Sequence, residues 1–285
     1  MSCTARLASV TASRAALFAI MTALTASCSP PAPDLANVNY ALAGFTKACD
    51  RGSKTGETGG TNRMKTPEGL RISVRTPANY DATLAHPLLV VYPPGGHHRY
   101  QSENLAGLTT AATAAGFVVA YPDHVTLKLE SFKLLGKVPE AVASKWCIDP
   151  GRIYATGHSD GGLASEAIVF LGASTLPLAG IVASGAGIRG EDLSSYACPS
   201  PLPVMIIHSR DDALFPLPAY GREAADWWAK CNRCEAGQFV KRDDGCIAYS
   251  GCQQGGQTLY CEVSGAHRLW HGENAILLQF LSEHR

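Results

Sequence analysis

The chain has 285 residues, 46% of them hydrophobic and 17% charged, with 24 basic side chains against 24 acidic ones. That length holds one large domain or two small ones, and the apolar share is ample for a packed core, which excludes a disordered chain. Zero net charge argues against a nucleic-acid binder and against a polybasic membrane patch, because both need a basic face.

The N-terminus reads MSCTARLASVTASRAALFAIMTALTASC, with Arg6 and Arg14 as its only charges. An apolar stretch from Ala15 to about Thr25 follows, and then the small residues Ala26 and Ser27. This is the order of an export signal, expected over residues 1–27. The apolar run is short for a membrane span, and Pro30, Pro31 and Pro33 would stop a packing helix. Thr25-Ala26-Ser27 before Cys28 resembles a bacterial lipoprotein signal, in which the cysteine becomes the lipidated first residue, although the usual Leu sits one place early, at Leu24. Ten cysteines is a high count for a cytosolic enzyme. Removal of Cys3 with the signal and lipidation of Cys28 would leave eight, an even number that can all pair.

Residues 28–68 read as a flexible leader, since segments such as GSKTGETGGTNR lack an apolar period. From Gly69 the pattern changes. Leu70, Ile72 and Val74 alternate with polar residues as in a half-exposed strand. Further strands are predicted at Leu88–Tyr92, Phe117–Tyr121, Ile153–Thr156, Ile181–Ala183, Val204–His208 and Leu259–Val263. Helices are predicted at Ser102–Ala115, Leu163–Gly172 and Leu217–Lys230, with a last one from Asn274 to the end. Apolar strands alternating with helices indicate one α/β domain over 69–285, with a mostly parallel central sheet and helices on both faces.

The strongest chemical signal is Gly157-His158-Ser159-Asp160-Gly161-Gly162, which fits G-x-S-x-G. An apolar strand precedes it and a helix follows, the context in which a sharp turn lifts a serine hydroxyl out at the edge of a sheet. A serine needs a base, and the acid and base of such a site follow the nucleophile in chain order. His267, a few residues past a predicted strand, is in the right loop; His271 is its rival, while His208 ends a strand and reads as structural. Asp211 and Asp212, after the strand Val204–His208, are both candidates for the acid that orients the imidazole. One of them has the alternative task of capping the next helix. The oxyanion hole is expected from the amide of Asp160 and from the loop carrying Gly95, Gly96 and His97, where adjacent glycines let amides approach a substrate oxygen. The pair His97 and His98 lacks further ligands nearby in sequence, so no metal is expected. His97, His98, Tyr100, Trp146 and Trp270 are candidates to line an aromatic acyl pocket near the site.

Cys231, Cys234, Cys246, Cys252 and Cys261 crowd between the proposed acid and base. Their spacing is poor for a zinc ribbon, and in an exported protein the disulfide reading is favoured. Cys147 and Cys198 each precede a strand and are expected to pair, which leaves Cys49 to reach into the cluster.

Residues Trp146 to Gly162 resemble the nucleophile region of secreted feruloyl esterases and polyhydroxybutyrate depolymerases, related α/β-hydrolases, some of them in carbohydrate esterase family one. Arg75-Thr76-Pro77-Ala78-Asn79-Tyr80, His208 to Pro216, and Gly265 to Gly272 resemble three other segments of the group, so the likeness spans roughly Ile72 to Arg285. The resemblance implies an α/β-hydrolase fold, Ser159 as nucleophile, Asp212 rather than Asp211, and His267 rather than His271. It also implies a Cys234–Cys252 bridge. The sequence departs from the group at Pro94-Gly95, where His-Gly is usual, at Ser209 for Gly, and at His271 for Pro. Asp160 leans toward the feruloyl esterase branch. The expectation is therefore an exported, monomeric serine ester hydrolase that works without a cofactor, forms an acyl-enzyme, and touches a membrane only through a lipid on Cys28. Two alternatives share the fold: a prolyl oligopeptidase-like peptidase, for which no propeller-sized segment precedes Gly69, and a non-catalytic ligand-binding lipoprotein.

Overall fold

The computed structural model describes residues 48–59, 62–270 and 274–284. The expected export signal, Cys3, Cys28 and His271 lie outside them. In chain order the elements are β1 (Asn62–Lys65), β2 (Arg71–Arg75), β3 (His86–Tyr92), α1 (Arg99–Ala106), α2 (Thr109–Ala114), β4 (Val118–Pro122), α3 (Leu129–Leu135), α4 (Val138–Lys145) and β5 (Ile148–His158). There follow α5 (Asp160–Phe170), β6 (Gly180–Ser184), α6 (Gly190–Leu193), β7 (Pro203–Ser209), α7 (Arg222–Cys231), β8 (Phe239–Lys241), β9 (Ile247–Tyr249), β10 (Gln257–Val263) and α8 (Asn274–Ser282).

Among the described residues the strands form one sheet in the order β1-β2-β4-β3-β5-β6-β7-β10-β9-β8. The run β4-β3-β5-β6-β7-β10 is parallel, and the outer strands at both margins pair antiparallel. All seven residues of β3 (HPLLVVY) are buried. This is the signature of a strand covered on both faces, where side chains of either parity meet apolar neighbours. Leu88, Val90 and Tyr92 share one core with Val138, Val142, Ala164, Ile168 and Trp228. Leu89 and Val91 point the other way, toward Leu108, Ala112, Leu277 and Phe280. Because the central strands are parallel, their C-terminal ends share one edge, and the loops after β3, β4, β5, β7 and β10 all open there.

Several expectations need correction. The helix expected at Ser102–Ala115 is two helices, because Gly107 takes the left-handed conformation (φ 59°) and ends α1. The helix expected from Leu217 begins only at Arg222, since Pro216 and Pro218 cannot supply amides to a helix interior. The leader expected through residue 68 contains β1, an edge strand paired with β2. Before it, the segment at Gly56 and Glu57 covers Trp146, whose indole N–H donates to the Glu57 carbonyl (3.2 Å). Helices α3 and α4 occupy a stretch where no element was expected.

The cysteine pairing differs as well. The bridges are Cys49–Cys147, Cys198–Cys231, Cys234–Cys252 and Cys246–Cys261. Cys234–Cys252 is as the resemblance implied, but Cys147 and Cys198 do not pair. Strand β6 lies between β5 and β7, so the segments leading into those strands are roughly 10 Å apart, too far for a bridge. Cys49 instead arrives beside Cys147, because Ala48 bridges Leu84 just before β3 and the amide of His86 donates to the Cys147 carbonyl (2.9 Å). Closing that loop, with a sequence separation of 98, stabilises the fold by about 4–5 kcal/mol in the chain-entropy picture.

One buried charge site has a measurable consequence. Glu166 on α5 is fully buried; its Oε1 accepts from the Trp228 indole N–H (2.7 Å), and its Oε2 has no partner. Burial pushes its carboxyl up to about 7 from 4.5, the Trp228 hydrogen bond only partly opposing this. A carboxyl raised on folding stays protonated in the native state after the unfolded chain has lost its proton. Stability from this group is therefore complete below about pH 4.5, falls between there and about pH 7, and is absent above. The loss amounts to about 3 kcal/mol. In urea titrations across this range Glu166→Gln should flatten that part of the pH dependence. An unchanged slope in the variant would show that Glu166 is not the group responsible.

Candidate active site

Strand β5 ends at His158, and α5 begins at Asp160, so Ser159 alone makes the turn. It does so with φ 56° and ψ −120°, a conformation that side chains other than glycine rarely adopt. The turn is tight because glycines flank it. A Cβ on Gly161 would lie 2.1 Å from the Tyr92 carbonyl oxygen at the end of β3, and one on Gly157 would lie 2.4 Å from the Gly161 backbone. The Ser159 amide donates to the Ser184 carbonyl at the end of β6 (2.9 Å), and the Leu163 amide donates to the Ser159 carbonyl (2.9 Å). The Ser159 position is thus held by the ends of three strands and the first turn of a helix.

The loops after β7 and β10 bring an acid and an imidazole to it. His267 Nε2 lies 2.9 Å from Ser159 Oγ, and His267 Nδ1 lies 2.6 Å from Asp212 Oδ2. The Asp212 side chain is fully buried. Its Oδ1 accepts the amides of Leu214 and Phe215 (2.9 Å each). Burial raises its pKa, but the Phe215 amide and the contact with His267 outweigh this and hold the carboxyl below its usual value. A carboxylate beside Nδ1 fixes the proton there and leaves Nε2 free to accept one from the serine. The Phe215 ring meets the imidazole edge to face at 4.8 Å.

Asp211 is not the partner of His267. Its Oδ2 accepts the Gly265 amide (2.9 Å), while Ser209 Oγ donates to the Gly265 carbonyl (2.6 Å), so it anchors the histidine loop. Neither aspartate caps α7, whose N-cap is Gly221. His208 lies 3.7 Å from Asp212 Oδ2 and donates from Nε2 to the Phe215 carbonyl (2.8 Å). Burial lowers its pKa, so it shapes the acid loop as a neutral group.

His158, the residue before Ser159, was not singled out from the sequence. Its Nε2 donates to the His267 carbonyl and its Nδ1 lies 3.1 Å from Ser184 Oγ. Its position inside G-x-S-x-G was the available signal. Trp270 packs edge-on against it at 6.3 Å, and the indole N–H donates to Asn274 Oδ1 (2.7 Å). Trp270 therefore ties the histidine loop to α8.

The donors expected for an oxyanion are arranged as follows. Asp160 is the first residue of α5, so its amide has no acceptor within the helix. Gly95 and Gly96 lie in the loop after β3, and their amides have no backbone partner among the described residues. The His97 amide is unavailable, because it closes a turn onto the Pro94 carbonyl (3.1 Å). His124 cross-links this corner: its amide donates to the His97 carbonyl (3.2 Å), and its Nε2 lies 3.0 Å from Asp160 Oδ2. His98 is exposed at the start of α1 and meets Tyr100 edge-on at 5.8 Å. Trp146 is not part of this region. It precedes β5 while Ser159 follows it, about 20 Å away along the sheet, and it is buried under the segment at Gly56. Among the described residues no group of three His, Cys, Asp or Glu side chains converges as a metal site.

No family model matches the chain. Feruloyl esterase D of Neurospora crassa is 25% identical over 251 residues, which cover 80% of this chain and 83% of that one. Among solved structures, an acetyl xylan esterase from Aspergillus awamori superposes with a TM-score of 0.61 at 14% identity, over 78% of this chain and all of its own. A truncated carbohydrate esterase from gut microbiota superposes with a TM-score of 0.53 at 14% identity, over 83% of this chain and 99% of its own. A thermostable esterase gives 0.55 at 16% identity, over 78% of this chain and 62% of its own. With the sheet order above, these likenesses identify an α/β-hydrolase fold.

The contact between Gly161 and Tyr92 makes the turn intolerant of a methyl group. Because the obstruction is backbone, Gly161→Ala should destabilise the fold by about 3 kcal/mol or more. A shift of the urea midpoint measures it, and a midpoint equal to that of the parent would refute the steric account.

Proposed function

We propose that the protein is a serine carboxylic ester hydrolase with Ser159, His267 and Asp212 as its catalytic residues. The observation that carries the reading is the unbroken contact chain from Asp212 Oδ2 through His267 to Ser159 Oγ. Three different loops meet there, and a merely structural site has no need of a serine in a strained turn at their meeting point.

In this reading Ser159 Oγ attacks the ester carbonyl while His267 Nε2 takes its proton. The amides of Asp160 and of Gly95 or Gly96 hold the developing oxyanion. The tetrahedral species collapses, the C–O bond to the alcohol breaks, and His267 returns the proton to the departing oxygen. Water then repeats the sequence on the acyl-enzyme and releases the acid. Asp212 remains ionised throughout, which its depressed pKa supports.

The feruloyl esterase relative, the acetyl xylan esterase and the carbohydrate esterase support an ester carried on plant polysaccharide as the substrate. Four disulfides support an exported protein, since such bridges persist in oxidising compartments. The catalytic domain of this reading is 69–285, extended at its N-terminal side by the segment from Ala48 that Cys49 ties to Cys147.

Ser159→Ala should abolish hydrolysis of p-nitrophenyl acetate and labelling by a fluorophosphonate. Asp212→Asn should leave the fold intact and lower kcat about 10⁴-fold, because it stabilises the wrong tautomer. Full turnover by Ser159→Ala would end the assignment. A panel of methyl ferulate, acetylated xylan and polyhydroxybutyrate film selects the acyl and alcohol class; the reading expects the first two to be cleaved and the film to be left intact.

A further inference from the structure

Arg63, Lys65, Arg71 and Arg99 line, with Met64 and Ile72, a cavity of about 220 Å³ beside the catalytic edge. The chain is neutral overall, so this concentration of positive charge does not follow from composition. Lys65 stands directly opposite Arg71 across the β1–β2 pair. Like charges in that position destabilise a sheet. Asp123 is the acidic side chain in ion-pair contact with the cluster among the described residues. It meets Arg71 Nε at 2.6 Å and Arg99 Nη1 at 3.0 Å, while Arg63 and Lys65 have no ion-pair partner among the described residues.

The two paired arginines are held in place. The Arg99 amide also donates to Asp123 Oδ1 (2.9 Å), and its guanidinium lies 4.4 Å over the Tyr100 ring. The guanidinium of Arg63 reaches the same ring at 5.7 Å. Arg71 meets Asp123 through Nε, which leaves its two Nη groups without an ion-pair contact among the described residues; its side chain is 59% exposed. Arginines fixed in this way bind an anion without losing much further side-chain freedom, and the guanidinium fork matches a carboxylate.

The cluster is connected to the nucleophile. Arg99 follows the oxyanion loop by two residues, and Asp123 adjoins His124, which contacts Asp160. Arg71 opens β2 at the edge where β5 ends, three strand spacings away, or roughly 14 Å. A group bound there belongs to the part of an extended substrate beyond its scissile ester.

We propose that this cavity is a subsite for a carboxylate on the substrate's alcohol portion, so that the enzyme acts on esters of an acidic, uronate-bearing polysaccharide. The proposal deepens the ester-hydrolase reading and rests on it for the identity of the polymer. Its test is direct binding, so that it fails or stands separately from turnover. Ser159→Ala of the full chain is titrated at low salt with an acetylated xylo-oligosaccharide carrying one glucuronate, and with the same compound after reduction of the carboxyl to an alcohol. The acidic ligand should bind about 10-fold more tightly, as charge-assisted hydrogen bonds to guanidinium groups allow. Adding Arg63→Ala and Arg71→Ala should close that gap while the affinity for the neutral ligand, the control for folding, is kept. Raising the salt to about 1 M, where screening acts within a few ångströms, should close it in the Ser159→Ala protein as well. Equal affinity for the two ligands, or a gap that survives both arginine substitutions, overturns the proposal.

Discussion

The buried carboxylate of Asp212 is the constraint around which the site is arranged. An ionised group with no exposed surface needs several donors, or it takes up a proton instead. Leu214, Phe215 and His267 supply those donors. The first two bend the loop after β7 into a turn, and the third requires the loop after β10 to reach back over β7. Since β10 pairs with β7 in parallel, from Gln257 opposite Pro203 to Val263 opposite Ser209, the two loops leave the sheet side by side. The satisfaction of one carboxylate thus decides where the imidazole sits, and so which serine it can serve.

That arrangement is reinforced around β10. Cys246–Cys261 ties the strand itself to the loop ahead of β9, and Cys198–Cys231 and Cys234–Cys252 both fasten the C-terminal end of α7, the first to the segment before β7 and the second to the segment before β10. Asp211 and Ser209 hold Gly265 from below, and His158 holds the carbonyl of His267. Of the five cysteines crowded between Asp212 and His267, four pair among themselves, Cys234 with Cys252 and Cys246 with Cys261, and Cys231 pairs with Cys198. On the other side of Ser159, His124 plays a comparable part for the loop of Gly95 to His97.

The legible parts of this protein were those written by local rules. Apolar runs marked all six central parallel strands, most cleanly β3, where all seven positions are buried on a strand covered on both faces; β10 was marked by Leu259 to Cys261 although Glu262 after them is exposed. The strand–Gly-x-Ser-x-Gly–helix order located the turn, because that turn admits glycine alone at its closest contacts. Local rules were blind to neighbours. Trp146 belongs to the same motif-bearing stretch as Ser159, yet a whole strand separates them, and its ring fills a space under Gly56. Cys147 and Cys198 looked equivalent as residues ahead of strands, yet β6 runs between those strands. His158 was one unremarked letter inside the motif, since nothing local tells that its ring meets a carbonyl more than a hundred residues away.

From the sequence alone follow the fold class, the nucleophile turn and a choice of two aspartates and two histidines, because these depend on periodicity and on steric limits within a few residues. The tertiary structure set Asp212 rather than Asp211 against His267, closed the His97 amide onto Pro94, re-paired Cys49, Cys147 and Cys198, and gathered Arg63, Lys65, Arg71 and Arg99 at one end of the sheet. Each of those outcomes depends on which strand lies beside which. Strand order in a parallel sheet is set by the packing of both faces together, and no single segment of the chain records it.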